Sequence, residues 1–413
     1  MLRYILIVPQ IEVVGYYWQR FFVACLGMFF SFFIIKKGYS KNIEYKLLKL
    51  YLIPYTIVIL INIFYTYYNY NYNIKSIIFA STPYLYIYIS FSIIYIINKT
   101  SNKINEFKII SIVITLQFIM LIIKTYGWYI YNIKKGTFLS AIVTEAGDWI
   151  RNGYQRIYGG QLLGLAFVFI IYKFYIPQIG KWKKGIYICG IVSSICFVMF
   201  ITQGKFQTLV LISTLIVMYY FTKSGVLEKT RLILVFFIGA IIFAFSSYAD
   251  KFMDMFTITG NRGAGNMARL QTIEHYFNLL NNGKWLYGLG LLDDSNITAH
   301  NIMKMNEWRL YYLDDIGILG GIARFGVMAV FIYGWFIILG FRTIHLTIKI
   351  KNYGYCLLSI GICSYFIISN IMINIFEQAN AFSIPFFIAI LSYIYGKSRL
   401  SFKRRNVIDS CNN

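Results

Sequence analysis

A chain of 413 residues that is 58% hydrophobic and 13% charged departs from soluble globular composition, in which about a quarter of residues are charged. It reads as a polytopic membrane protein. Its formal net charge of +23 reports membrane topology, because short cytoplasmic loops collect Lys and Arg, and nucleic acid is excluded as the partner behind that charge.

An apolar run of about 20 residues crosses the hydrocarbon as a helix, since in lipid each backbone amide must pair within its own segment. Eleven such runs centre on 16–35, 49–68, 76–98, 109–126, 157–176, 185–203, 206–222, 231–249, 316–341, 354–374 and 380–396. The fold class expected is therefore all-α, a bundle of about eleven transmembrane helices with two outer-face loops. N-terminal spans occupy 1–126, a first outer loop 127–158, central spans 159–249, a large and partly helical outer loop 250–315, and the last spans with a basic cytoplasmic tail 316–413.

Alternate loops fix the orientation. The segments 36–49, 99–108, 173–184, 223–231, 342–351 and 397–405 together hold 23 basic residues against Glu44, Glu106 and Glu228, which marks that face as cytoplasmic. The 250–315 loop, with six basic residues and eight acids, then lies outside. An odd number of spans with a cytoplasmic C terminus puts the N terminus outside, and no cleavable signal peptide is evident. Cys25, Cys189, Cys196, Cys356 and Cys363 fall in apolar runs, with Cys411 in the tail, a pattern of small buried side chains rather than a disulfide frame or a zinc site.

In chain order, the first four spans read as ordinary lipid-facing material joined by Tyr-Asn turns such as YYNYNYN. The first outer loop carries Lys134, Lys135, Arg151 and Arg156 against Glu145 and Asp148. It is basic on the side where cations are scarce, so an anionic partner is expected there, whether lipid headgroup or ligand. Arg156 stands at the mouth of the fifth run, before Gly159 and Gly160, which permit close approach. Lys205 tips the short hairpin ITQGKFQT, where it either snorkels to the interface or meets a phosphate.

The large loop and its return into the membrane, 250–324, concentrate chemistry: Asp250, Asp254, Glu274, Asp293, Asp294, Glu307, Asp314 and Asp315 are half of the sixteen acids of the chain, and His275 and His300 are two of its three histidines. GNRGAGN lacks the Gly-Lys-Ser/Thr ending of a nucleotide loop and reads as a hinge containing Arg262. A helix is expected from about Asn266 to Gly283, with Met267, Leu270, Ile273, Phe277 and Leu280 on its apolar face and Arg269 and Glu274 off it. A second helix is expected from about Ala299 to Asp314, placing His300, Lys304, Glu307, Tyr311 and Asp314 on one face. Arg324 lies inside the ninth run, where a charge is costly unless paired or facing a cavity.

RIYGGQLLGLA, ITQGKFQT, ARLQTIEHYF with GKWLYGLG, AHN, and YYLDDIGILGGIARFG together resemble bacterial O-antigen and capsule repeat-unit polymerases of the Wzy type, and more distantly the O-antigen ligases. The resemblance covers roughly residues 151–329; elsewhere only hydropathy matches. Related proteins often have Arg where this chain has Lys205, which keeps the charge and loses a bidentate fork. The resemblance implies glycosyl transfer on the outer face of the inner (cytoplasmic) membrane, from an undecaprenyl-diphosphate-linked glycan to a newly flipped lipid-linked repeat unit, with no cofactor and no metal. It also implies that Arg156, Lys205, Arg262, Arg269 and Arg324 hold the diphosphate, that His300 is the base with Glu307 and Asp314 behind it, and that the bilayer, a chain-length regulator and a flippase are partners. Two other classes use similar outlines: an O-antigen ligase, which hands the glycan to lipid A core, and a lipid-linked oligosaccharide flippase, which performs no chemistry. DDIGILGG favours the polymerase, and concentration of polar groups in outer loops speaks against the flippase.

Overall fold

The computed structural model describes residues 16–38, 41–101, 106–134, 150–151, 153–160, 162–175, 180–222, 263–294, 296–306, 309–371, 373–376 and 381–411. Over them the chain is a helical bundle with two short two-stranded ladders. The helices are α1 (Tyr16–Lys36), α2 (Lys46–Tyr70), α3 (Ile74–Leu85), α4 (Ser90–Thr100), α5 (Lys108–Asn132), α6 (Leu163–Tyr175), α7 (Lys181–Cys196), α8 (Lys205–Tyr220), α9 (Gly263–Asn281), α10 (Ile297–Met303), α11 (Ile318–Phe325), α12 (Tyr333–Lys349), α13 (Tyr353–Ser369) and α14 (Ile384–Cys411). The expected run 231–249 lies outside the described residues.

Among the described residues, five helical stretches are long and apolar enough to cross a membrane unaided: Ile43–Tyr70, Ile74–Thr100, Lys108–Asn132, Lys181–Thr202 and Ala381–Arg405. A sixth forms if Ile318–Phe331 and Tyr333–Lys349, bent by 44°, act together. Phe21–Lys36, Leu163–Tyr175, Phe206–Tyr220 and Tyr353–Ser369 are apolar but shorter. The described residues thus give five or six such stretches where about eleven runs were expected, four of the others being shorter apolar helices. Tyr51 Oη donates to the Ile332 carbonyl at the α11–α12 break, and Tyr55 Oη donates to the Tyr84 carbonyl beside the 3-10 segment Tyr86–Ile89. Buried tyrosines in this chain supply donors to carbonyls that a kink releases, as an apolar setting requires.

The loops sort to two ends. At one, Glu106 accepts hydrogen bonds from Tyr355 and, at 2.9 Å, from Tyr393. Gly396 packs so closely on Glu44 that a Cβ there would fall 2.4 Å from its Cα, and Lys397 lies over the Tyr393 ring. The described residues of the basic loops 36–49, 99–108, 342–351 and 397–405 therefore gather at this end, Lys349 lying over the Phe402 ring. At the other, Thr66 and Tyr70 in the last turns of α2, a helix roughly 37 Å long for its 25 residues, and Tyr72 just past its end hold the backbone of 289–293.

Two local expectations need correction. The stretch 299–314 is not one helix: α10 stops at Met303, the strand Lys304–Asn306 turns back on Arg309–Leu310, and a 3-10 turn follows at Leu313–Ile316. Tyr311 N donates to Met303 O at 2.7 Å, and the Tyr311 carbonyl accepts from Tyr276 Oη at 2.7 Å. These long-range partners outweigh the weak propensity of a short helix. His300, Lys304, Glu307, Tyr311 and Asp314 therefore do not share a helical face. In α9 the expected apolar face holds only in part: Leu280 is buried and Ile273 and Phe277 are half-buried, but Met267 and Leu270 are exposed and Thr272 and Tyr276 lie innermost, the Tyr276 hydroxyl being drawn inward by the Tyr311 carbonyl. Gly283, at φ +82, closes that helix as expected.

Candidate functional site at the end opposite the basic loops

The site grows from a short helix and the loop that caps it. GKWLYGLG docks on the C-terminal end of α11: Leu289 N and Gly290 N donate to the carbonyls of Ala323 and Arg324 at 2.8 and 2.9 Å, and Val327 N donates to Trp285 O at 2.8 Å. These are carbonyls a helix end leaves without partners. The approach needs glycine on both sides. A Cβ on Gly288 (φ +71) would lie 2.3 Å from Arg324 O, and one on Gly326 (φ +57) 2.0 Å from Trp285 O.

This docking buries Arg324, 7% exposed. Its Nη1 donates to Leu292 O at 3.0 Å, and its Nη2 lies 3.8 Å from Asp314 Oδ1. The ion contact is single and longer than a charge-assisted hydrogen bond of about 2.7–2.9 Å. Asp314 keeps 42% of its side chain in solvent, so the carboxylate offers a wet face over a buried guanidinium. Its backbone is fixed from behind: Asp314 O accepts from Asn374 N, Asn374 Oδ1 accepts from Tyr333 Oη at 2.7 Å, and Asn370 O accepts from Ile318 N at 2.7 Å.

Beside this pair lies Asp293, 3% exposed, whose N–H donates to Tyr72 Oη at 2.9 Å while that hydroxyl donates to Leu291 O at 3.1 Å. Burial is the main cause that pushes the Tyr72 hydroxyl above its ordinary pKa, so it remains a donor at any physiological pH. The YYNYNYN turn is thus not generic lipid-facing material. Tyr70 and Tyr72 are what hold the site loop to α2.

Of the residues singled out from sequence, Arg324 and Asp314 come into direct contact. Arg156, half-buried, directly follows the short strand Tyr154–Gln155 beside the hairpin that carries Lys205: Thr202 Oγ1 donates to Ile157 O at 3.0 Å, and Lys205 is the first residue of α8. Arg269 is half-buried on α9, which packs against α11 and the turn bearing Asp314. His300 is half-buried on α10, whose cap is Asn296 accepting from Ala299 N; no contact joins its ring to Asp314 or Arg324 among the described residues. Arg262, Glu307 and the side chain of Lys205 lie outside the described residues.

Sequence reasoning passed over His275. Its ring stacks on Tyr311, centroids 4.3 Å apart, and Nε2 lies 2.8 Å from Ile302 O. A carbonyl can only accept, so Nε2 carries a proton and donates to it. The residue joins α9 to the 302–311 hairpin across 27 to 36 positions of chain, a separation that no local pattern reveals.

No protein-family model matches the chain, and no curated protein matches it.

Proposed function

We propose that the protein polymerises lipid-linked oligosaccharide repeat units into a surface polysaccharide by glycosyl transfer from undecaprenyl diphosphate at the outer face of the cytoplasmic membrane. The observation that carries this reading is the buried Arg324 guanidinium under the half-exposed Asp314 carboxylate, at the end of the bundle away from the basic loops. A diphosphate leaving group departs from a hydrophobic setting most readily when a fixed cation meets the charge that develops, and a guanidinium suits phosphate oxygens.

In this reading the acceptor hydroxyl attacks the anomeric carbon of the donor glycan, the new glycosidic C–O bond forms, and the bond from that carbon to the diphosphate oxygen breaks. The electron pair leaves with the carrier diphosphate, held by Arg324 and Arg269, with Arg156, Lys205 and Arg262 as the further cations. The proton passes to a base, for which His300 leads because imidazole titrates nearest neutral pH; Glu307 and Asp314 follow, the latter tied to Arg324. The bilayer supplies the carriers, and a flippase and a chain-length regulator are the protein partners that such a reaction would use.

The test is incubation of the purified protein with its lipid-linked repeat unit and electrophoresis of the products. A ladder spaced by one repeat is the expected result. Transfer of a single preformed polymer to a lipid A core acceptor without a ladder would replace the reading by ligation, and unchanged repeat would remove it.

A further inference from the structure

Three residues, Asn71, Tyr72 and Asn73, join α2 to α3, and both asparagines serve the helix ends. Asn71 ends α2 in the left-handed region at φ +47, which asparagine tolerates, and Asn73 Oδ1 caps α3 by accepting from Ser76 N at 2.7 Å. Tyr72 stands between two fixed ends. It is buried, and its ring lies tilted beside that of Tyr70, centroids 6.2 Å apart. The turn and the neighbouring ring thus decide where its hydroxyl goes.

What that hydroxyl meets is one peptide plane. Tyr72 Oη accepts from Asp293 N at 2.9 Å, and its own hydrogen goes to Leu291 O at 3.1 Å. Asp293 N–H and the Leu292 carbonyl belong to the same planar group, which is trans, as every described peptide is. The two therefore point in opposite directions, and on the far side the carbonyl accepts from Arg324 Nη1 at 3.0 Å. Tyr72 Oη, Asp293 N–H, Leu292 C=O and Arg324 Nη1 form a relay across a rigid unit. A hydrogen bond accepted from the N–H polarises the carbonyl behind it and strengthens its hold on the guanidinium. That hold is shorter than the 3.8 Å contact with Asp314, so the carbonyl sets the direction of the fork. Tyr70 serves the other end of the same arginine. Its Oη donates to Leu289 O at 2.7 Å, in the peptide whose Gly290 N donates to Arg324 O. Here the backbone is held, and the bonds from Leu289 N and Val327 N hold it as well.

We propose that Tyr72 is a positioning residue that aims the Arg324 guanidinium through the Leu292–Asp293 peptide. The consequence for rate rests on the function proposed above, in which that guanidinium meets the leaving diphosphate; the aim itself does not. Donors that are already in place when charge develops stabilise it most, and a fork free to turn loses that advantage. Tyr72 is buried and acts through another residue, so it changes kcat rather than KM.

The experiment is nuclear magnetic resonance of the purified full chain in detergent with ¹⁵N-labelled arginine, the Arg324 signals being those lost in Arg324→Lys. In the native protein its two Nη groups are expected to give separate signals, because rotation about Cζ–Nη is held. Tyr72→Phe should average them, while Tyr70→Phe leaves them separate and lowers the melting temperature. para-Aminophenylalanine in place of Tyr72 still donates to Leu291 O, but its conjugated nitrogen accepts poorly from Asp293 N. It should average the signals too, and it decides the matter if Tyr72→Phe does not fold. In the ladder assay both changes at position 72 should lower kcat by about tenfold, the scale of one hydrogen bond, with KM near native. Separate signals in the variants at position 72 would overturn the proposal, as would averaged signals in the native protein or in Tyr70→Phe. Averaged signals with a native kcat would remove its catalytic consequence. The expected averaging in a protein that builds no ladder would sink the polymerase reading and leave the positioning standing.

Discussion

Arg324→Gln is expected to abolish ladder formation, with a rate loss on the order of 10²–10³-fold if this guanidinium meets the leaving diphosphate. The cost in stability is smaller. Asp314 has 42% of its side chain in water, so its lost partner is largely replaced by solvent. The buried Leu292 carbonyl loses the Nη1 donor, a deficit of about 1–3 kcal/mol. A thermal melt beside the activity assay separates the two effects. Arg324→Lys keeps the charge without the planar fork and should recover part of the rate. Full activity in Arg324→Gln would remove this residue from the reaction.

The second large effect is expected at the imidazoles and Arg269. His300→Ala should reduce polymerisation by about 10²–10⁴-fold, the usual contribution of a positioned base, while the melting temperature stays near that of the native protein, because no hydrogen bond, ion pair or ring stack holds the half-buried imidazole among the described residues. His275→Ala should behave in the opposite sense. It loses the stack on Tyr311 and the donor to Ile302 O, so the melting temperature falls. His275→Gln, which can still donate to that carbonyl, should restore stability. Arg269→Ala, half-buried on α9, is expected to lose the ladder with the fold retained. A native rate in both His300→Ala and Arg269→Ala would reject these two assignments and leave the bundle untouched.

The hydropathy of the chain made its helices legible, because a run such as Leu163–Tyr175 has no acid and no break within it. What hydropathy could not show is where a helix begins inside such a run. The start of α6 is decided by Gln117, Lys124 and Asn132, which lie on another helix and capture the extended backbone before it. The same holds for 299–314. A periodic set of polar residues was there to be read, and a bond from Tyr276 to Tyr311, 35 positions away, folded it into a hairpin. Arg324 was legible because a lone charge in an apolar run carries its own cost. Its neighbours Tyr72 and Asp293 were not, since the Tyr72 hydroxyl reaches its partners over about 220 residues of chain and nothing in YYNYNYN distinguishes it from an interfacial turn.

If the protein polymerises flipped lipid-linked repeats, the Arg324–Asp314 site faces the compartment that receives them. Single cysteines at Ile297, 80% exposed beside the site, and at Lys351, exposed at the basic end, in a background freed of native thiols, report this directly through a membrane-impermeant maleimide applied to cells with an intact cytoplasmic membrane. Ile297→Cys is predicted to label in intact cells and Lys351→Cys only after permeabilisation. The reverse pattern would place the guanidinium in the cytosol, where the flipped donor never goes.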